Sequence, residues 1–395
     1  MRAGAPLHSL DLSLDVYSLD NADDVLTPAL IIYPELVDAN ISATLRMLGN
    51  DPNRWRPHIK TAKLSAILHQ LIGHSVVNFK CSTTLELLTA CQAGAADVLL
   101  AFPVTGANAR RAVEIANQFP QTRVSVLVET FEQALHWSGS SIGVFIDVNP
   151  GMDRTGIGQE RVEEIVALAR RIGNQFRGLH YYDGHVSAFE LAQRETHVHE
   201  GYDHLLQIID ALESSGLRPG ELITSGTPAT PFAITYPGFR NRSLLHRVSP
   251  GTVVFNDMTS LEQLPPECGY VPAAAVLSTV ISHPTPNRVT CDAGHKSVSA
   301  DAGIPTCSVI GRSDLAPLKP SEEHLPIEGS PAGTLPKIGE KLYLIPRHVC
   351  PTVNNFDEAL FVVQGRIRTI ERVTARGHES PLGLETEKLV LSLSS

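Results

Sequence analysis

The order of apolar and polar positions divides the chain into two textures. Between residues 34 and 265, short apolar runs alternate with helical stretches. The runs are ADVLLAF (96–102), RVSVLVE (123–129), IGVFIDV (142–148), FRGLHYY (176–182), ELITSG (221–226) and TVVFN (252–256). Being almost continuously apolar, they suit parallel strands buried on both faces. Between them, GANARRAVEIANQF and ERVEEIVALARRIG repeat apolar residues near i, i+3, i+4 and i+7, the period of an amphipathic helix. Repeated β–α units predict an α/β fold, a (β/α)8 TIM-type barrel, with a doubly wound open sheet as the runner-up. Beyond residue 265, AAAVLSTVISH, RVTCDAG, KLYLIP and ALFVVQGRIRTIERVTARG are strand-like but separated by Pro- and Gly-rich turns. That change predicts a second, mostly antiparallel β-domain.

Composition narrows the class. At 395 residues the chain is long enough for a large domain and a smaller one, because single cores stop growing near ~250–300 residues. A hydrophobic share of 43% excludes disorder for its bulk. The balance of 32 Lys+Arg against 42 Asp+Glu argues against nucleic acid or an anionic membrane as partner. No run approaches the ~18 apolar residues of a membrane span. The first twenty residues lack the apolar stretch and small-residue cleavage site of a secretory signal, so a cytoplasmic protein is expected. Six cysteines without a CxxC pair are expected to be free thiols.

Four segments carry chemistry. RPHIKTAK (56–63) follows a helix and ends a strand, where active sites of parallel barrels form. Lys60 there is either a surface lysine or, with Ile59 and the KLSAILHQLIG helix beside it, a desolvated amine able to act as nucleophile. IDVNPGMDRTGIG (146–158) presents Arg154 on a Gly-containing loop, where it is either solvated or facing an anion. TSGTPAT (224–230) is an ordinary Ser/Gly/Thr turn or a loop that offers backbone N–H groups to phosphate. RHVCPTVN (347–354) follows a strand; in extended chain His348 and Cys350, two apart, would project together. A buried His and Cys is the commoner reason for such a pair, and an open zinc site is the other.

Absences matter as well. Neither GxxxxGK[ST] nor GxGxxG occurs. THVHEGYDH (196–204) misses the HExxH spacing, and a solvated helix start accounts for His197, His199 and His204.

RPHIKTAK, DVNPGMDRTGI, GLHYYDGH, SGTPAT, VSPGTVVFND, CDAGHKSVSAD, SEEH and RHVCPTVN stand in the order seen in the D-threonine aldolase and D-serine dehydratase family. The chain resembles that family from about residue 26 to 370. The resemblance implies fold-type III pyridoxal-phosphate enzymes, with an alanine-racemase-like barrel over 34–265. It adds residues 1–33 to the 266–395 β-domain, and implies a homodimer. By the same resemblance Lys60 is the lysine that bonds pyridoxal 5'-phosphate, and Arg154 and Tyr182 line the cofactor. Ser225, Gly226, Thr227 and Thr230 match the phosphate loop, Gly251 and Thr252 a further phosphate contact. His348 and Cys350 match the divalent-metal pair, with zinc favoured by the thiolate over manganese or cobalt. Two departures stand out: Ala62 replaces a His common in the family, and TTLELL follows Ser82 in place of an acidic-Ala-acidic pattern.

Chemistry then limits the outcomes. The cofactor supplies an electron sink, and a metal near a β-hydroxyl acts as a Lewis acid. A lyase acting on D-3-hydroxy amino acids is expected. Retro-aldol cleavage would give glycine and an aldehyde; dehydration of D-serine would give pyruvate and ammonia. Cys350 resembles the dehydratases, while NPGMDRTGI and YYDGH resemble the aldolases, which are narrowly preferred. His185 of YYDGH is either a helix-start residue or the base for the β-hydroxyl. Racemisation is disfavoured because Ser249 stands where racemases place an Arg. A non-catalytic pyridoxal-phosphate carrier is disfavoured because such carriers lack the β-domain.

Overall fold

A computed structural model describes residues 13–240 and 242–381, so the outermost ends of the expected β-domain lie outside the described residues. The chain forms two compact units, one of residues up to 43 together with 252–373, the other of 44–251 together with 374 onward.

In the 44–251 unit, seven strands lie parallel in sequence order. They are Asn78–Cys81, Asp97–Leu100, Arg123–Val128, Gly143–Asn149, Phe176–Tyr181, Glu221–Thr224 and Leu245–Val248. The ring closes through an eighth extended segment, where Trp55 bridges Val248 and His58 bridges Lys80. Arg56 N donates to Val248 O (2.9 Å), Lys80 N to Pro57 O (3.0 Å) and Ile59 N to Lys80 O (2.8 Å). Pro57 has no N–H to donate, which interrupts regular ladder pairing in this short segment. The expected barrel, rather than an open sheet, is what forms.

One strand expectation is corrected. TVVFN contains a short 3-10 turn, Thr252–Val254, and the last of the seven strands is Leu245–Val248. Pro250 and Gly251 end that strand before the apolar run begins. His246 and Arg247 disguised it, because a strand that points a guanidinium into the barrel does not read as an apolar run.

Side chains alternate between bore and exterior along each strand, which stacks the interior in layers. The lowest is ionic. Arg56 pairs with Asp97 (3.0 Å) and Glu221 (2.8 Å), and Arg177 with the same two carboxylates at 2.8 and 3.4 Å. Arg247 adds a third guanidinium to Glu221 at 2.6 Å. Gly143 leaves room for them: a Cβ there would lie 2.6 Å from Arg177 Cδ and 2.7 Å from Ser125 Oγ. Above lies an apolar layer of Leu99, Leu127, Phe145 and Ile223. Lys80, Asp147 and His180 form a third, polar layer toward the C-terminal ends of the strands.

The second unit is a nine-stranded, mostly antiparallel sheet. Its strand Ala29–Ile32 lies between Ala274–Thr285, antiparallel, and Glu358–Val363, parallel. A core of Val276, Val280, Val289, Cys291, Leu325 and Leu344 fills one face. Among the described residues all six cysteines are free, and no helix is long and apolar enough to cross a membrane.

Removing one partner of a buried ion network strands the others. Glu221→Ala should therefore cost about 3–5 kcal/mol of unfolding free energy, measured by urea denaturation with far-UV circular dichroism. Glu328→Ala, which breaks an exposed pair with Arg288, should cost less than about 1 kcal/mol. Equal costs for the two would contradict the role assigned to the ionic layer.

Candidate active site

The barrel gathers most of the expected residues at the C-terminal edge of its strands. Lys60 is exposed, two residues beyond the bridge at His58, whose ring Nδ1 accepts from Lys60 N at 3.2 Å. His58 Nε2 meets Ser82 Oγ at 2.9 Å. Arg154 follows the strand Gly143–Asn149, and its guanidinium lies 4.6 Å from the centroid of the Tyr182 ring. Tyr182 follows Phe176–Tyr181, and its other cationic neighbour is Lys80 Nζ, 5.4 Å from the same centroid.

The loop after Glu221–Thr224 packs against that ring. A Cβ on Gly226 would lie 2.9 Å from Tyr182, so glycine brings the loop backbone to the aromatic face. Ser225 holds a left-handed φ of 58°, an uncommon conformation for a residue with a side chain. Thr230 Oγ1 donates to Gly226 O (2.8 Å) and meets Ser225 Oγ at 3.2 Å, while Thr227 is buried. Across the barrel seam, a Cβ on Gly251 would fall 2.2 Å from His58 O. Ser249 Oγ, at the inward position two beyond Arg247, is buried without a hydrogen-bond partner.

The sequence reading missed the layer beneath. Lys80 is 2% exposed, and its Nζ lies 3.3 Å from His180 Nε2. His180 Nδ1 lies 2.7 Å from Asp147 Oδ1, and Asp147 Oδ2 accepts from Thr155 (2.7 Å). Burial, then the charge of Lys60, lowers the Lys80 amine to about 7. Burial and the Lys80 charge lower His180. Burial likewise holds His58 well below its ordinary range, reinforced by Lys60 and Lys80. Burial raises Asp183 to about 6 despite the hydrogen bond it receives from Tyr202. The available signal was a polar residue at an inward position of an otherwise apolar run: Asp147 in IGVFIDV and His180 in FRGLHYY.

His185 lies in the turn Gly184–Ala188, with Nδ1 buried and unpartnered, and burial lowers its basicity. The other three histidines sit within the long helix Leu191–Ser214, not at its start. His197 stacks on Phe189 (3.7 Å between centroids) and His199 meets Phe232 O at 3.1 Å.

In the other unit, His348 and Cys350 do converge, but not along a strand. His348 is the extended residue that precedes the helix Val349–Asn354. Burial alone would lower its basicity, but Cys350 and Asp301 together raise it to about 9. Its Nδ1 lies 2.6 Å from Asp301 Oδ2, the second-partner arrangement that orients metal-binding histidines. Thr252 Oγ1 lies 3.7 Å from Cys350 Sγ. Among the described residues, no group of three or more His, Cys, Asp or Glu is arranged to hold a metal ion. An ~860 Å³ cavity lies at the opposite, N-terminal ends of the barrel strands, lined by Asp97, Arg123, Arg177, Glu221 and Arg247.

Comparison with known proteins extends this picture. The family described as "Alanine racemase, N-terminal domain" matches residues 32–258, and "Putative serine dehydratase domain" matches residues 273–362. A 3-hydroxy-D-aspartate aldolase of Paracoccus denitrificans is 28% identical, over 95% of this chain and 99% of its own. A D-threonine aldolase of Arthrobacter is 26% identical, over 89% and 93%. The crystal structure of D-threonine aldolase from Filomicrobium marinum superimposes with a TM-score of 0.81 at 28% identity, covering 90% of this chain and 97% of that one.

Three histidines whose rings are shielded from water set a pH dependence. His58, His180 and His246 all have lowered folded values, His246 to about 3. Below their unfolded value of ~6.5 the unfolded chain binds protons that the folded barrel refuses, so stability falls as pH falls. Asp183, raised to about 6, opposes this between pH 6 and its lower unfolded value, and His348, raised to about 9, opposes it between pH 9 and 6.5. Urea unfolding should show a loss of roughly 1–3 kcal/mol from pH 7.5 to 5.5. Unchanged or rising stability over that interval would contradict neutral burial.

Proposed function

Because the chain belongs to the alanine racemase N-terminal-domain family, in its D-threonine aldolase and D-serine dehydratase branch, we propose that it cleaves D-3-hydroxy amino acids to glycine and an aldehyde. It is a lyase of the pyridoxal-phosphate-dependent kind. The observation that carries the pyridoxal-phosphate lyase reading is the cationic cluster at the barrel edge; aldolase relatives at 28% and 26% identity favour cleavage as its outcome. There Lys80 and Arg154 flank Tyr182, and Lys60 stands close enough to Lys80 to lower its basicity.

The residues present fit pyridoxal phosphate. Ser249 Oγ is an orphaned buried hydroxyl at the edge where the ring would sit. Gly226 and Gly251 are positions where a Cβ would clash and the backbone is bare. In this reading Lys60 would hold the cofactor at its aldehyde, and Arg154 with Tyr182 would orient its ring. Ser225, Gly226, Thr227 and Thr230 hold the phosphate, joined by Gly251 and Thr252. When bound, the cofactor supplies an electron sink for the carbanion left by bond cleavage. His185, whose Nδ1 has no partner, accepts the β-hydroxyl proton.

A divalent metal fits half a coordination set. His348, oriented by Asp301, and Cys350 would hold it, and imidazole plus thiolate favours zinc. It would supply Lewis acidity toward the β-hydroxyl. On the same resemblance the working form is a cytoplasmic homodimer. A second reading, dehydration, is favoured by one observation: the serine dehydratase domain match spans both His348 and Cys350.

Product analysis separates the two. With D-threonine or 3-hydroxy-D-aspartate the protein should release glycine, and thorough chelation should remove the activity. Lys60→Ala should lower kcat/KM by at least ~10³, and Cys350→Ala should reproduce the chelated protein. Pyruvate and ammonia from D-serine, with no glycine from either 3-hydroxy substrate, would overturn cleavage in favour of dehydration.

A further inference from the structure

We infer that Asp147 is a positioning residue: its carboxylate ties the turn that carries Arg154 to the strand that leads into Tyr182, and so sets the guanidinium over the aromatic ring. The inference rests on the reading of Arg154 and Tyr182 as the pair that orients pyridoxal phosphate.

Arg154 needs such an anchor. It is exposed, and among the described residues its guanidinium forms no ion pair; the contact it keeps is the Tyr182 ring, 4.6 Å to the centroid. A long side chain without a carboxylate partner takes its aim from the backbone that carries it. That backbone is pinned at both feet. Gly143–Asn149 leads in, and Ile157–Gly158 returns to pair in parallel with Val148 and Asn149. Gly156 permits the return: its φ is 101°, and a Cβ there would lie 2.7 Å from Asn149 N. Gly156 N donates to the Glu129 carboxylate, and Asn149 Oδ1 accepts from Gly151 N and Asp153 N, both at 3.0 Å. Beside Arg154, Thr155 Oγ1 donates to Asp147 Oδ2 at 2.7 Å, which draws the turn down onto the barrel.

The other oxygen of the same carboxylate reaches the second half of the stack. Asp147 and His180 stand opposite each other on paired parallel strands, with Asp147 Oδ1 2.7 Å from His180 Nδ1. Tyr182 follows His180 by two residues. Lys80 Nζ, 3.3 Å from His180 Nε2, holds the far side of the imidazole. One assignment satisfies every member. Thr155 O–H and His180 Nδ1–H donate to a carboxylate that only accepts, and Nε2 accepts from the lysine. Asp147 and His180 are each 3% exposed, so water does not compete for these bonds. A carboxylate shared between the two segments fixes where one lies relative to the other, which separate anchors would not do.

Thr155→Val keeps the branched shape and removes the hydroxyl; Thr155→Ser keeps the hydroxyl. Each apoprotein is titrated with pyridoxal phosphate, alone and combined with Arg154→Ala. The dissociation constant and the visible circular dichroism of the bound cofactor are read. Thr155→Val should weaken binding about tenfold, the size of one lost hydrogen bond to a carboxylate. Its dichroism should shrink, and Thr155→Ser should stay close to wild type. With Arg154→Ala already present, Thr155→Val should weaken binding by less than about twofold further, because its effect passes through Arg154. Unchanged binding in Thr155→Val, an equal loss in Thr155→Ser, or a tenfold loss that persists beside Arg154→Ala overturns the inference while the cofactor reading stands. A wild type that binds no pyridoxal phosphate overturns both. Should Thr155→Val not fold, exchange of the Gly156 amide in the wild-type apoprotein decides: protection supports a fixed turn, and exchange at the free-chain rate overturns the inference.

Discussion

The barrel depends on a four-residue seam. Leu245–Val248 and Asn78–Cys81 would each be an open edge, with unpaired N–H and C=O groups, were residues 55–58 not laid between them. Three backbone hydrogen bonds do this work, and they fix more than closure. They point Arg56 down into the ionic layer, leave His58 at the rim, and set Lys60 two residues farther on. A shift of one residue in this segment would exchange Arg56 and Pro57 between bore and exterior, because side chains alternate. The ion network and the reactive edge are thus consequences of one register.

The layers follow from how charge can be buried. At the floor three guanidiniums face two carboxylates at hydrogen-bond distance, so each cation keeps its charge through direct partners. The apolar layer of Leu99, Leu127, Phe145 and Ile223 separates that floor from the edge. Above it the balance reverses: imidazoles and amines outnumber nearby carboxylates, and burial empties protons from His58, His180 and Lys80. The same kinds of residue are inert ballast at one end and poised bases at the other. The difference is the balance of charge: two carboxylates take up the floor cations, whereas above it Asp147 alone pairs with His180 and does not outweigh burial and the neighbouring amines.

Alternation of apolar runs and helical periods was enough to reach the barrel and the β-domain, because five of the runs are strands with no charge but at their ends or one inward position. It failed at NFKC and LLHRV, where Lys80 and Arg247 break the apolar run. These are strands whose inward residues carry charge into the barrel, so the departure from pattern was itself the signal. Of the site, motif order picked out Lys60, Arg154, Tyr182 and the 225–230 loop, which the structure collects on one edge of the barrel. His180 and Asp147 needed register: they are 33 residues apart in sequence and meet only because their strands pair with those two residues opposite each other.

The His348–Cys350 pair makes the same point from the other side. Two-residue spacing suggested an extended chain, and the chain is extended only as far as His348. From Val349 it is helical, so the convergence of imidazole and thiol comes from a helix start. Distant carboxylates hold that start in place. Asp257 accepts from Val349 N (2.9 Å) while also capping Ser260 N (2.8 Å), and Asp301 takes His348 Nδ1. A two-residue motif is therefore compatible with either backbone, and its donors become a pair only through partners 47 and 92 residues away in sequence. What the motif encodes is donor identity; the fold supplies the aim.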